Sequence, residues 1–239
     1  MRIRSLLAVA LGTTVLGGCG SSHTTASSSS KTGSSSTAAP PSTPPPQGPP
    51  ATVPASAPPA VKAIAGRLLV AGDIPGLAPQ GPPGQTLHGV ILGINARSWV
   101  EEEAREGLPS SEQATETTRL ERLGFVRGVH ERLAGRNQGG PPEGLSIAIE
   151  FRSPSGAQAN LQHEVKTSED RGPKPFAVKG IPGAQGFGES GASGTGYNVA
   201  FAKGSYYYIV GIGYPAGTPG APTREQLISA AQRLYSRLR

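Results

Sequence analysis

The chain contains one cysteine, Cys19, and the residues before it limit the chemistry open to its thiol. Leu16, Gly17 and Gly18 precede it directly. The small Gly17 and Gly18 let an extended backbone enter a narrow peptidase site, and a thiol is a soft nucleophile for group transfer. A lone cysteine leaves no partner for an internal disulfide or a thiolate metal site. We therefore interpret Cys19 as a residue that is covalently modified.

Residues 1–18 have the composition of a targeting leader. Arg2 and Arg4 give it a positive start, and an apolar run at residues 6–11 follows that is too short to span a membrane permanently. With Leu16, Gly17, Gly18 and Cys19 at its end, the leader resembles the signal peptide and lipobox of bacterial lipoprotein precursors. The resemblance implies recognition of these residues by a signal peptidase, cleavage before Cys19, and acylation of its thiol and new amino group. The mature protein would then be lipid-anchored on the extracytoplasmic face of the cell membrane.

Two glycine-rich stretches match dinucleotide-binding patterns, at residues 186–191 and 211–216. That chemistry requires a helix that begins at the third glycine, so that the helix N-terminus meets the pyrophosphate. We predict a loop after the first stretch, and Pro215 and further loop residues after the second. Ser190 and Ser193 lie among glycines without forming the Gly-x-Ser-x-Gly pattern of serine hydrolases. Neither stretch therefore predicts a nucleotide or hydrolase site.

The remaining titratable residues form no recognisable catalytic or metal-binding pattern. Consecutive carboxylates at 101–103 point about 100° apart on a helix and cannot converge on one ion. Glu150 with Glu164 or Asp170 would supply a carboxylate pair for glycoside chemistry, although nothing in the sequence brings them together. The histidines lack metal-ligand spacing: His23, His88, His130 and His163. We predict no catalytic residue, no metal and no cofactor.

The basic charge does not indicate nucleic acid as a partner. The formal net charge is +6, and two of the basic residues, Arg2 and Arg4, belong to the leader. The other basic residues are spread thinly, without the clusters and interleaved aromatics of a nucleic-acid surface.

Residues 19–60 are predicted to be a disordered linker. After Cys19 the segment consists almost entirely of Ser, Thr, Ala, Pro and Gly. Such a segment cannot bury enough apolar surface to offset its conformational entropy. Its proline-rich second half should be the stiffer part, which suits a spacer between a membrane anchor and a folded domain.

Residues 61–239 are predicted to be one α+β domain. All aromatic residues lie between Trp99 and Tyr235, and about 180 residues suffice for one core. The pattern predicts two ββα-like units that form an antiparallel or mixed sheet, with helices mainly on one face. The signals for helix starts are Asn95, Ser110 with Gln113 in a capping box, Ser153 with Pro154, and Thr223 with Gln226 in a second capping box.

In the second unit we predict a glycine-rich loop at residues 183–196, followed by a hairpin that turns at Lys203, Gly204 and Ser205. A two-residue turn would place Phe201 opposite Tyr206. One hairpin face would then point into the core: Tyr197, Val199, Phe201, Tyr206, Tyr208 and Val210. Tyr207 and Ile209 would lie on the other face, where either the segment after the linker covers them or they belong to a binding surface.

Parts of the predicted domain resemble uncharacterised lipoproteins of high-GC Gram-positive bacteria. The resemblance is carried by residues 123–128 (LGFVRG), by residues 180–184 (GIPGA) and by the tyrosine-rich hairpin before the last helix. Its motifs are apolar and turn residues, so it implies no catalytic residues.

Three classes of function fit the sequence. The first is a non-catalytic binding or interaction module, with Phe187, Tyr207 and Tyr214 near the 183–196 loop as the ligand surface. Its partner would be an apolar ligand such as a lipid, a cell-wall glycan or an envelope protein. The second is a cell-envelope hydrolase with an unrecognised site, and the third is a structural or assembly lipoprotein.

The lipoprotein interpretation predicts the behaviour of a Cys19→Ser variant. Without the thiol no acyl chain can be attached, so the precursor should stay unprocessed and should no longer partition into detergent. Mass spectrometry of the intact protein and detergent phase partitioning measure both properties. Normal maturation of the variant would contradict the interpretation.

Overall fold

The computed structural model describes residues 59–79, 90–105, 107–135, 142–170 and 172–238. The helices in these ranges are α1 (Pro59–Ala65), α2 (Ala96–Arg105), α3 (Ser110–Arg122), α4 (Pro154–Glu169) and α5 (Arg224–Arg237). The strands are β1 (Leu77–Pro79), β2 (Val90–Gly93), β3 (Phe125–Gly135), β4 (Glu143–Phe151), β5 (Lys174–Ala177), β6 (Gln185–Gly191), β7 (Gly194–Lys203) and β8 (Tyr206–Tyr214). The predicted domain boundary at residue 61 falls inside α1.

The strands form one sheet in which every neighbouring pair is antiparallel. Their order is β1-β3-β4-β8-β7-β6-β5, and β2 also pairs with β3. Because β1 pairs with residues 133–135 of β3 and β2 with residues 128–131, the two short strands share one edge of the sheet. The predicted α+β class is confirmed, and the sheet is antiparallel.

Both faces of the sheet are apolar and buried. On one face, here called the α5 face, α1 and α5 pack on sheet residues including Val129, Leu133, Val199, Phe201, Tyr208, Val210 and Ile212. On the opposite face, the α4 face, α2, α3 and α4 pack on a second set including Leu145, Ile147, Ile149, Phe187, Ala200, Tyr207 and Ile209. The molecule therefore has three layers, with the sheet in the middle.

The helices thus lie on both faces, whereas the sequence pattern predicted them mainly on one. The reason is visible in β8, where Tyr207 and Ile209 are as apolar as their neighbours Tyr208 and Val210. A strand that is apolar on both faces must be covered twice. The sequence left two alternatives for Tyr207 and Ile209: cover by the segment after the linker, or a binding surface. The two side chains are covered, but they pack in the cluster with α4 and not under that segment.

Residues 59–79, which we call the strap, cross the α5 face as α1, an irregular stretch and β1. Its buried side chains join the core of that face: Ile64, Leu68, Leu69, Ile74 and Leu77. Polar contacts fix it at three places. The Leu69 amide donates to Ser146 Oγ (3.0 Å), Arg67 Nη1 donates to the Tyr208 hydroxyl (3.1 Å), and Asp73 accepts from Arg237 (2.6 and 2.8 Å).

Three of the predicted helix starts are confirmed in detail. Asn95 Oδ1 accepts from the Ser98 amide (2.9 Å) at the start of α2. Ser153 Oγ accepts from the Gly156 amide (3.2 Å), with Pro154 as the first residue of α4. Thr223 and Gln226 form both bonds of a capping box, at 3.2 and 2.8 Å.

The capping box predicted at Ser110 and Gln113 is wrong. Ser110 is already helical and Pro109 is the N-cap residue, so no side chain caps α3. The Gln113 amide donates instead to the Leu108 carbonyl (3.3 Å).

The tyrosine-rich hairpin has the predicted faces with a different register. Gly204 and Ser205 form the turn, so Lys203 pairs with Tyr206 and Phe201 lies opposite Tyr208. A shift of two residues along a strand returns a side chain to the same face. The predicted core face is therefore correct, although Phe201 was expected opposite Tyr206.

The loop predicted at residues 183–196 is wrong, because most of it is β-structure. Gly186 lies under the ring of Phe176, and a Cβ there would meet the ring at 2.2 Å. A Cβ on Gly188 would lie 2.1 Å from the Gly196 carbonyl oxygen. These glycines allow close approach within a sheet, and their tertiary partners cannot be inferred from local sequence.

The contact between α3 and α4 gives a stability prediction at Gly156. Alanine is the better helix former, yet its Cβ would lie 2.2 Å from the Leu123 carbonyl oxygen. Gly156→Ala should therefore lower the free energy of unfolding by about 1–3 kcal/mol, measured by urea unfolding with Trp99 fluorescence. Gly196→Ala is the matched control, because no atom lies near its added Cβ. A Gly156→Ala variant as stable as the wild type would contradict this packing.

Candidate functional site

Two of the three aromatic residues predicted to form an exposed ligand surface are buried. Phe187 and Tyr207 are 2% and 3% exposed and lie in the core of the α4 face. Tyr214 is half-buried, packs against the core of the α5 face, and donates its hydroxyl to the Pro222 carbonyl (2.9 Å). These side chains lie on opposite faces of the sheet, so the structure does not bring the three together.

The predicted lipid-attachment residue Cys19 lies outside the described residues. The same is true of Leu16, Gly17 and Gly18, and of the predicted linker up to residue 58. Among the helices that the structure describes, none combines the length and apolarity needed to cross a membrane.

The glycine and serine motifs lie in strands and turns. Residues 186–191 belong to β6, and residues 211–216 continue from β8 into the turn before α5. Ser190 Oγ lies 2.7 Å from Thr195 Oγ1 across the β6–β7 hairpin. A helix does not begin at either glycine motif, so the geometry for binding a pyrophosphate is not formed there.

The suggested carboxylate pair is separated by the sheet. Glu150 lies beside Arg127 on the neighbouring strand, with Oε2 2.6 Å from Arg127 Nε. Glu164 lies on α4, on the other side of the sheet, and Asp170 is exposed at the end of that helix. In the described part of the chain, no group of three or more His, Cys, Asp or Glu side chains has a metal-binding arrangement.

The most polar cluster lies between α3 and α4 and was missed by sequence reasoning. Arg119 donates two hydrogen bonds to Glu116 (2.6 and 2.8 Å) and one to Asn160 (2.8 Å), and it lies 3.4 Å from Glu164. Glu116 and Asn160 are buried. The local signal was the Glu116–Arg119 spacing of three residues, which pairs side chains on a helix. The guanidinium is committed to these partners, so we assign the cluster to helix packing.

Burial also changes the protonation of groups near this cluster. Desolvation raises the pKa of Tyr207 well above its ordinary value, so its hydroxyl stays protonated. Partial burial and then the nearby Arg119 lower the pKa of His163. At neutral pH Tyr207 is therefore a protonated phenol, and His163 is an uncharged imidazole.

A groove lies on the other side of the molecule, between the strap and the N-terminal half of α5. Its volume is about 440 Å³, and its lining residues are Gly72, Pro75, Glu225, Gln226, Ser229 and Arg233. The residues from α5 follow a helical spacing of three and four, which places them on one side of the helix. Sequence reasoning missed the groove because its two walls are about 150 residues apart in the chain.

Asp73, which is 5% exposed, joins the wall formed by the strap to α5. Its carboxylate accepts two bonds from Arg237 (2.6 and 2.8 Å) and one from the Val70 amide (2.8 Å). Arg233 donates to the Asp73 carbonyl oxygen, and its Nε lies 3.6 Å from the carboxylate. Bidentate, charge-assisted bonds of this kind fix geometry, so the turn at Gly72 and Pro75 is anchored to α5.

The groove presents several hydrogen-bonding groups beside an apolar surface. Gln226 uses its Oε1 in the capping box, which leaves its Nε2 for other partners. The Ser229 hydroxyl bonds to no described residue. Hydrogen bonds to the backbone and to Arg224 lower the pKa of Glu225, so this exposed carboxylate is charged at neutral pH. Pro75 supplies a flat apolar contact. The lining is mostly apolar with a few polar groups, which is the usual composition of a binding pocket.

Comparison with known proteins gives no family for this chain. No protein-family model matches it. No curated protein matches it in sequence. The extracellular domain of PknH from Mycobacterium tuberculosis is a solved structure with a TM-score of 0.39 at 10% identity, over 67% of this chain and 86% of that chain. Likeness at this level establishes neither a family nor a function.

Sequence analysis also did not single out two adjacent buried residues of β3. His130 and Glu131 are each 3% exposed and lie on opposite faces of the sheet. Burial lowers the pKa of His130 to about 4 and raises the pKa of Glu131 to about 7. The available signal was the apolar character of Val129 and Leu133, the neighbours of Glu131 on the same face of β3.

The polar cluster predicts an energetic asymmetry between single and double variants. Arg119→Leu leaves the Glu116 carboxylate buried without its cation, which should lower the free energy of unfolding by about 3–5 kcal/mol at pH 7. Changing Glu116 to Leu as well removes the uncompensated charge, so most of the loss should be recovered. Urea unfolding of the three proteins measures this. Equal stability of the single and double variants would contradict a role limited to packing.

Proposed function

We propose that the chain is a surface lipoprotein whose extracytoplasmic domain is a non-catalytic module that binds a small, hydroxyl-rich ligand. Cys19 would carry the lipid, and residues 19–58 would separate the membrane from the domain. The ligand would lie in the groove between the strap and α5. A fragment of a cell-wall glycan has the required chemistry, since it presents many hydroxyl groups on a compact ring.

The groove is the observation that carries this proposal. It combines an anchored wall, a free hydroxyl at Ser229, a free amide at Gln226 and a charged carboxylate at Glu225. Hydroxyl groups of a ligand can both donate to the carboxylate and accept from the amide. A ring face can pack on Pro75. Binding sites commonly join an apolar surface to a few fixed polar groups in this way.

The described residues support binding better than catalysis. Arg119 and its partners satisfy one another, Glu150 lies beside Arg127, and Tyr207 remains protonated. General acid–base or nucleophilic catalysis needs a poised group within reach of a substrate. No such group lines the groove, where the ionisable side chains are Glu225 and Arg233.

Two other functions stay open as alternatives. A cell-envelope hydrolase would require a reactive pair that the described residues do not assemble. A structural or assembly lipoprotein would bury a surface against another chain and change its sedimentation with concentration. The proposed binding module differs from both because a soluble ligand should stabilise it without being consumed.

The proposal predicts a ligand-dependent rise in melting temperature. Soluble cell-wall glycan fragments at about 100 times their dissociation constant should raise the melting temperature by about 5–10 °C. Ser229→Trp should abolish the rise, because the indole ring fills the groove. Differential scanning fluorimetry or calorimetry measures it.

Ser236→Trp is the matched control for that experiment. Ser236 is exposed on the same helix, two turns further along, and does not line the groove. The control should keep the full ligand-dependent rise. An equal rise in the Ser229→Trp protein would place the ligand elsewhere, and fragments recovered in cleaved form would favour the hydrolase.

A further inference from the structure

The strap lies over a part of the sheet that contains an unpaired carboxyl group. Ser146 of β4, whose Oγ accepts from the Leu69 amide of the strap, is directly opposite Glu131 of β3. Residues directly opposite on adjacent strands share a face, so Glu131 also lies on the α5 face. Its neighbours on β3, Val129 and Leu133, pack in the same core cluster as the strap.

The Glu131 carboxyl is buried without compensation. It is 3% exposed, and its Oε2 has no hydrogen-bond partner. An ionised carboxylate in such a place loses its hydration and gains nothing in exchange. Movement of the layer above it would let the group regain hydration.

The charged groups of the elements packed on this face do not pair with Glu131. Arg67 of the strap bonds to Tyr208 and stacks on Tyr206, and Lys62 is on the exposed side of α1. The other groups form pairs away from Glu131: Asp73 with Arg233 and Arg237, Arg127 with Glu150, and Lys203 with the carbonyl groups at the end of α5. His130 points to the opposite face. The raised pKa of Glu131 accordingly has burial as its cause.

We propose that the strap is a proton-linked latch, seated while Glu131 beneath it holds a proton and opening locally when Glu131 ionises. The strap contains the chain segment nearest to the predicted linker and also supplies Gly72 and Pro75 of the groove. Its opening would therefore loosen the junction with the linker and remove one wall of the groove. The latch itself does not depend on the proposed function.

The direction of the pH dependence follows from linkage. With the strap seated the pKa of Glu131 is about 7, and with the strap open it returns toward its ordinary value of 4.5. Between these values only the seated form holds the proton, so a rise in pH favours opening. Full exposure of the carboxyl predicts that the opening equilibrium constant rises by about 20-fold from pH 5.5 to pH 7.5.

Hydrogen exchange of the full mature chain tests the latch at individual amides. The direct reporter is the Leu69 amide, whose bond to Ser146 Oγ joins the strap to the sheet. The amides of Leu68, Asp73 and Leu77 bond within the strap and report its local unfolding. After correction for intrinsic exchange rates, their protection should fall by about 20-fold between pH 5.5 and pH 7.5. Amides of the β7–β8 ladder should stay more protected, because the opening is local.

Two variants separate the latch from general destabilisation. Glu131→Gln keeps the shape without the ionisation, so its strap protection should not change over this pH range. His130→Gln changes the neighbouring buried residue on the opposite face and should keep the wild-type pH dependence of the strap.

Three results would overturn the proposal. One is equal strap protection at pH 5.5 and pH 7.5 in the wild type, which is decisive even if neither variant folds. The second is the wild-type dependence persisting in Glu131→Gln. The third is identical protection of strap and β8 amides at each pH, which would mean that only global unfolding exposes Glu131.

Discussion

The fold depends on β8 having two apolar faces. Tyr208 and Val210 pack under α5, while Tyr207 and Ile209 pack under α4. A central strand of this kind requires a covering layer on each side, because leaving either apolar face in water would forfeit the hydrophobic stabilisation. α5 does not cover its face alone. The strap completes that layer, and the groove lies where the strap and α5 meet.

The elements with strong local signals were predictable from the sequence. Two helix starts follow from side-chain bonds between residues three apart. These are the capping box of Thr223 with Gln226, and Ser153 before Pro154. Ser110 with Gln113 predicted the start of α3 correctly but not its cap, because the N-cap residue is Pro109, whose side chain cannot form a hydrogen bond. The strand β6 was not predictable, since its glycines are explained by the ring of Phe176 and the backbone of β7.

The candidate site could not be predicted for a different reason. Aromatic residues in a hairpin suggest a ligand surface and a core equally well, and only the position of α4 shows that Tyr207 belongs to the core. The groove residues Gln226 and Ser229 have no distinctive pattern, and their partner wall comes from the strap. Glu131 differs from these cases. Its position between apolar neighbours in a strand was informative, because a buried carboxyl without a partner must change its pKa.

The claim that the groove between the strap and α5 holds the ligand is tested most directly by mapping amide chemical shifts. Soluble cell-wall glycan fragments would be titrated into the ¹⁵N-labelled mature protein, and the shifted resonances assigned to residues. The account predicts changes confined to residues 70–76 and 225–233, saturating with a single dissociation constant. Changes centred on the β6–β7 hairpin or on α2–α4, or no changes at all, would contradict it.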